Sequence, residues 1–395
     1  MTATRTSSPR NVALYFACQA LSASTSSLLA ANLAIVGAML APDARLATVP
    51  VAVHQLATFI ATYPASHFMA RVGRRAGFSL GAALGVLGGA IATLGVLRGS
   101  FAVLCLGTAL TGSQAGFATF YRFAAVESAP VERRERALAA VLSAGVLAAF
   151  VGPWLASRTK DMWSAAFAGS FAALGAMALL SVALLQLLRG AAAQPSPHGA
   201  RAALRDVARK PEFRTFAAAG MVSGAAMVFV MTATPLAMAS CHHGFDHTAD
   251  VIQWHVLAMF APSFLTGRLV ARFGAPRIVL AGLALCAAAA IANASGTSLP
   301  HFHVGLILLG LGWNFAFIGA TTAVARLPPE ERATAQGLND LLVFSAVSIA
   351  ALLAGVVENT AGWRALNLAV LPLVGVVGLA IALRTRSPDR ASAAA

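Results

Sequence analysis

Twelve apolar stretches follow one another along this chain, at about 12–38, 46–69, 78–97, 101–125, 137–156, 163–188, 215–240, 250–270, 278–295, 303–325, 333–357 and 365–383. An α-helix rises 1.5 Å per residue, so about 20 apolar residues cross the ~30 Å hydrocarbon layer of a bilayer. Each stretch has roughly that length. The pattern predicts an all-α, polytopic membrane protein with twelve transmembrane helices.

Composition agrees with the pattern. Of 395 residues, 58% are hydrophobic and 11% charged, whereas soluble domains carry about a quarter of their residues as charges. The net charge of +14 is distributed as a topology rule rather than as a nucleic-acid patch. With the N-terminus inside, 23 of the 28 basic residues fall in cytoplasmic segments, and the remainder are Arg45, Arg98, Arg158, Lys160 and Arg364. Lysine and arginine accumulate on the cytoplasmic side of membrane proteins. Both termini are therefore expected in the cytoplasm and the chain in a bacterial inner membrane, in contact with lipid. No nucleic-acid partner is expected.

Chemistry of the enzymatic kind is absent from the pattern. No Walker loop, nucleophile elbow or zinc-protease helix occurs. Cys18, Cys105 and Cys286 fall in different apolar stretches and Cys241 in a loop, without the close pairing of a zinc site or a disulfide framework. The chain is not expected to be an enzyme or to hold a resident cofactor.

The two halves repeat. "MARVGRRAG" (69–77) follows the second stretch and "VARFGAPRI" (270–278) the eighth, so Arg71 and Gly73 recur as Arg272 and Gly274 at an offset of 201 residues. His54 and His255 share that offset, and "GSQAGF" (112–117) parallels "GWNFAF" (312–317). This divides the chain into a six-helix bundle at 1–188, a polar linker at 189–213 and a second six-helix bundle at 214–395.

Six spans, a basic linker and six more, with a glycine-arginine loop after spans 2 and 8, resemble the major facilitator superfamily. That superfamily's loop reads Gly-x-x-x-Asp-Arg-x-Gly-Arg-Arg. Here Ser66 and Ala70 stand at the first glycine and the aspartate, while Arg71, Gly73, Arg74 and Arg75 match, and Arg272 and Gly274 represent the second copy. The resemblance implies two pseudo-symmetric bundles that rock about a site near the bilayer midplane, with these loops acting in the conformational change.

Spans 7 and 8 add a narrower pattern. Met227 and Met231 are four residues apart, as are His255 and Met259, and residues i and i+4 share a helical face. Counted from the outer ends, His255 lies ~8 Å deep, Met231 and Met259 ~12–14 Å, and Met227 ~18 Å. Thioether and imidazole groups are ligands for copper, thioether especially for Cu(I). Cys241, His242, His243 and His247 lie in the external loop above as candidate capture residues. Plain apolar packing is the competing reading of the methionines, and solvation that of the loop histidines.

The Met-x-x-x-Met and His-x-x-x-Met pair resembles the CcoA-type copper importers, a branch of the same superfamily that supplies copper for assembly of cbb3-type cytochrome c oxidase. "FATFYRFAAVESAP" (117–130) is also similar to that branch. The resemblance implies a copper importer, with Met227, Met231, His255 and Met259 as metal ligands and copper as cargo rather than cofactor. It further suggests a monomer that hands copper to a cytoplasmic chaperone. The branch includes members similar to riboflavin transporters, so a transporter of a small organic solute, riboflavin-like or a drug, is the alternative. His54, Glu127 and Asp340 carry no assigned role at this stage.

Overall fold

The computed structural model describes residues 8–189 and 204–385. Fifteen α-helices make up the described chain, in the order α1 (Pro9–Leu40), α2 (Val49–Val72), α3 (Arg74–Leu97), α4 (Phe101–Ala118), α5 (Tyr121–Ser128), α6 (Arg134–Thr159), α7 (Ala168–Gln186), α8 (Leu204–Arg209), α9 (Pro211–Ser240), α10 (Phe245–Phe260), α11 (Ser263–Phe273), α12 (Ala275–Ala294), α13 (Leu299–Val324), α14 (Pro329–Leu368) and α15 (Val370–Thr385). Among the described residues there is no strand.

By length and composition ten helical stretches can cross a membrane, or eleven when α10 and α11 count as one broken span. The last stretch, Thr334–Thr385, is 52 residues long, which as a straight helix would measure about 78 Å, more than twice the hydrocarbon thickness. It is not straight. Gly362 interrupts it with φ 79° and ψ 173°, a conformation open to glycine because no Cβ collides there. Dividing the stretch at Gly362 recovers the twelve spans expected from sequence. The break between α10 and α11 falls at Ala261-Pro262, where proline has no amide hydrogen to give to the helical ladder.

Two compact units form, one from residues 1–197 with 244–260, the other from 198–243 with 261–395. The first therefore holds α1–α7 and α10, the second α8, α9 and α11–α15. This division differs from the one drawn at the linker in a single helix, α10. Of the 189–213 linker, residues 190–203 lie outside the described residues, and the rest contains α8.

Small residues bring the helices together. Helices in lipid gain little from apolar burial against each other, so close van der Waals contact through Gly and Ala carries the packing. In the first unit a Cβ on Gly89 of α3 would lie 2.6 Å from the Cα of Gly175 in α7. In the second, a Cβ on Gly312 of α13 would lie 2.7 Å from the Cys286 sulfur of α12. Neither pair of helices could approach so closely with a larger side chain there.

Candidate solute site

The glycine-arginine loops are built alike in the two units. Gly73 has φ 92° and ψ 161°, Gly274 φ 83° and ψ 150°. Each caps the preceding helix through its amide, Gly73 N–H donating to Met69 O at 2.9 Å and Gly274 N–H to Val270 O at 3.0 Å. The backbone thus turns sharply from α2 into α3 and from α11 into α12 at positions where a Cβ would be strained. Arg74 reaches the Glu127 carboxylate at the end of α5, 2.7 Å away, and Arg75 donates to Gln186 at 3.1 Å. Glu127 is thereby the acidic partner that this loop, lacking the aspartate, finds inside its own unit. The Arg272 guanidinium lies over the Phe273 ring at 5.2 Å, and Arg71 is exposed.

The first unit also buries polar side chains in its apolar interior. His54 of α2 is buried, and its Nδ1 meets Thr111 Oγ1 of α4 at 3.1 Å. On α1, Thr25 and Asn32 are 4% and 0% exposed, and neither the Thr25 hydroxyl nor either amide atom of Asn32 is hydrogen-bonded within the protein. Seven residues separate them, which places both on one side of the helix about two turns apart. Ser27, also without a partner, faces the other way, since a Cβ on Gly152 of α6 would lie 2.6 Å from its Cβ. A buried polar group without a partner costs about 1–3 kcal/mol, so Thr25 and Asn32 are poor packing residues and good stations for a polar solute.

The sequence-predicted metal residues fall on two helices of different units. Met227 and Met231 belong to α9, His255 and Met259 to α10. Met227 and Met259 are each 8% exposed and His255 is fully buried. On α9, Gly220, Gly224, Met227 and Met231 share one stripe by helical spacing. A Cβ on Gly220 would lie 3.4 Å from Val343 Cγ2, and one on Gly224 3.3 Å from Val347 Cγ2, both on α14. Met227 and Met231 follow these glycines along the same face of α9 by helical spacing.

The Cys241–His247 residues have structural work of their own. Cys241 caps α9, His242 takes φ 61° to leave the helix, and the His243 ring meets the Thr297 carbonyl at 2.8 Å and the Phe302 ring edge-on at 5.6 Å. His247 lies in the first turn of α10 and is exposed. Among the described residues no group of three or more His, Cys, Asp or Glu side chains that could hold a metal ion is present.

Two features of the second unit escaped sequence reasoning. Asn314 of α13 is buried, accepts from Thr266 Oγ1 at 2.6 Å and donates to Ser263 Oγ at 2.7 Å, tying α13 to the start of α11. Its neighbours Trp313 and Phe317 stack with ring centroids 5.0 Å apart and planes 12° from parallel. The sequence carries both in the single string "GWNFAF", where the letters show only a parallel to "GSQAGF". Asp340 lies on an exposed part of α14.

Helices of spanning length, paired glycine-arginine loops and buried uncharged polar groups define a multi-span solute carrier. The chain belongs to the Major Facilitator Superfamily, whose model matches residues 15–326 and 216–395. It is a transporter and not an enzyme. It is 41% identical over 394 residues to Riboflavin transporter RfnT of Brucella anthropi, covering 98% of this chain and 99% of that protein. It is also 30% identical over 370 residues to the uncharacterized MFS-type transporter YddS of Bacillus subtilis, covering 86% and 84% of the two chains. Among solved structures, a POT family transporter in complex with a thioalcohol conjugated peptide matches with a TM-score of 0.77 at 12% identity, covering 97% of each chain. A bacterial homolog of the human lysosomal transporter Spinster, in an inward-facing and unoccupied conformation, matches at 0.72 and 15%, covering 96% and 98%. At such identities the structural likeness speaks for the fold alone.

Proposed function

We propose that this protein moves riboflavin, or a flavin of closely similar shape, across the membrane by alternating access. The observation that carries the reading is the 41% identity to a riboflavin transporter over nearly the full length of both chains. The chemistry of the buried groups supports it. Riboflavin is uncharged at neutral pH and carries hydroxyls, carbonyls and ring nitrogens. Sites for such solutes are mostly apolar walls with a few well-placed uncharged polar groups, which is the character of Thr25 and Asn32. The basic bias of the loops supports placing both termini in the cytoplasm of a bacterial cell.

Copper import is the second reading, and the observation that favours it is the burial of three soft or borderline ligands, Met227, Met259 and His255. The stripe shared by Gly220, Gly224, Met227 and Met231, which meets α14 at both glycines, weighs the other way. The two readings part in one experiment. The protein is expressed in a bacterial strain that neither makes nor takes up riboflavin, and growth, labelled riboflavin uptake and copper accumulation are measured together. Growth at low riboflavin with saturable flavin uptake is expected. A well-expressed membrane protein that raises cellular copper and leaves flavin uptake at background would overturn the proposal.

A further inference from the structure

We infer that Trp313 and Phe317 of α13 form a stacking platform on which the planar ring system of the transported flavin lies, the exposed part of the Phe317 ring taking the solute and Trp313 holding that ring in plane. The inference rests on the flavin reading above and assigns it a recognition element.

Three observations carry it. First, the two rings are nearly parallel, 12° between planes with centroids 5.0 Å apart, one helical turn from each other on the same face. Offset stacking of this kind extends naturally to a third flat ring system, since each π-face attracts another at a similar offset. A flavin's tricyclic ring is larger and flatter than any side chain and gains most from such a surface.

Second, the platform does not face the side of α13 that is open to the exterior of the unit. Val304, 51% exposed, is nine residues before Trp313 and so about 180° away around the helix. Gly312, Ala316 and Gly319 occupy the flank that packs on α12, as their close approaches to Cys286, Gly282 and Val279 record. Asn314 occupies the opposite flank, bonded to Thr266 and Ser263 of α11. Ala320, on the stripe of Trp313 and Phe317, approaches Gly220 of α9. The aromatic pair therefore projects between α9 and α11, away from the lipid-like face, and yet both rings keep intermediate exposure.

Third, Trp313 is in an unusual place for a membrane tryptophan. Indoles gather at membrane-water interfaces, where the ring is apolar and its N–H is wet. Trp154 stands five residues from the end of α6, Trp163 lies in the loop after it, Trp363 adjoins the break at Gly362, and Trp254, the tenth residue of α10, is exposed. Trp313 is instead the fifteenth residue of the 26-residue α13, near mid-membrane by helical rise. An indole at that depth has no interfacial task, and its stack on Phe317 supplies another.

The test uses the full-length purified protein with riboflavin, and with lumiflavin, which has the ring without the ribityl chain. Stacking is read from the red shift and loss of intensity of the flavin visible band, and transport from the KM for riboflavin uptake. Phe317→Leu and Trp313→Leu should each weaken binding of both probes about ten- to a hundredfold, the range known for ring stacking on aromatic side chains. They should raise KM with little change in maximal rate and erase the red shift. Phe317→Tyr, which keeps the ring face, should retain the shift, and Trp154→Leu, at an exposed site, should change nothing. Variants that keep the wild-type shift and KM overturn the platform while leaving the flavin reading intact. A wild-type protein that neither binds lumiflavin nor takes up riboflavin overturns both.

Discussion

Gly73 and Gly274, 201 residues apart, hold the same rare backbone conformation, with φ 92° and 83° and ψ 161° and 150°. The internal repeat visible in the letters is thus a repeat of geometry. This part of conformational space is nearly closed to residues with a Cβ, at about 1–3 kcal/mol per residue. Gly73→Ala and Gly274→Ala should each lower the thermal unfolding temperature of the detergent-purified protein. Alanine at Gly99, whose φ of 62° falls in the range of the left-handed helical region that residues with a Cβ can enter, should cost less. Equal stability of all three variants would contradict the conformational argument.

The ion pair Arg74–Glu127 predicts a different kind of effect. Its side chains are 20% and 35% exposed, so its contribution to stability is small, under about 1 kcal/mol. Its consequence is positional, because it ties the α2–α3 turn to the end of α5. Glu127→Gln should leave the unfolding temperature within a degree or two while slowing solute uptake. The charge-exchanged pair, Arg74→Glu with Glu127→Arg, should recover part of the rate. Uptake kinetics of the three proteins at matched expression decide it, and no slowing in Glu127→Gln would remove the pair from the transport cycle.

Asn32 and Thr25 invert the usual expectation for a buried polar residue. Their polar atoms have no hydrogen bond within the protein to lose, so an apolar residue of similar shape should not destabilise the fold and removes a desolvation cost of about 1–3 kcal/mol per group. Asn32→Leu and Thr25→Val should therefore unfold at the same or a higher temperature than wild type. Uptake should nevertheless fall, for Asn32→Leu by about tenfold, the equivalent of one hydrogen bond of ~1.4 kcal/mol. A destabilised Asn32→Leu with unchanged uptake would mark a structural amide.

How much of this was legible in the sequence differs by residue. The spans were legible because hydrocarbon thickness sets helix length, and even the 52-residue stretch at the end of the chain resolves into two once Gly362 is read as a break. The loop copies were legible because Gly73 and Gly274 have a local cause, a backbone turn no other residue tolerates. The Met and His spacings were equally visible, but spacing fixes only which residues share a face. What that face meets depends on tertiary packing, and the α9 stripe is seen to meet α14 only through Val343 and Val347, more than a hundred residues away in sequence. Thr25 and Asn32 were missed for a related reason. Serine and threonine are common in α1, where Ser22, Ser24 and Ser27 are buried too, so nothing in the letters tells which hydroxyls find partners.

Asn314 fixes the orientation of α13 by a buried pair of hydrogen bonds, and this gives a prediction for stability and for solute recognition together. Its Oδ1 accepts from Thr266 and its Nδ2 donates to Ser263, so Asn314→Ala removes both bonds between the helices at a cost of about 1–3 kcal/mol, although the Thr266 hydroxyl keeps the Pro262 carbonyl as an acceptor. Because Trp313 is the adjacent residue, any rotation of α13 that follows also turns the aromatic pair. Asn314→Ala should lower the unfolding temperature and raise the KM for riboflavin, whereas Thr266→Val, which removes only one partner, should show a smaller shift in both. An unfolding temperature that falls while KM stays at the wild-type value would separate the amide network from solute recognition.

The last prediction distinguishes the two solutes at the methionines themselves. Leucine is close to methionine in volume and apolar character, and exchanges of this kind in a packed interior cost under about 1.5 kcal/mol. Thioether sulfur, however, is a ligand that leucine cannot replace. If Met227 and Met231 are the upper part of the stripe by which α9 packs on α14, the double variant Met227→Leu with Met231→Leu should fold, reach the membrane and take up riboflavin at close to the wild-type rate. If they are metal ligands, the same variant should lose copper accumulation and weaken Ag(I) binding by the purified protein, with no change in flavin uptake to accompany it. The flavin reading expects wild type and double variant to bind Ag(I) equally weakly. Silver bound tightly by wild type and lost in the double variant would restore the methionines as ligands, and copper would then move ahead as the cargo.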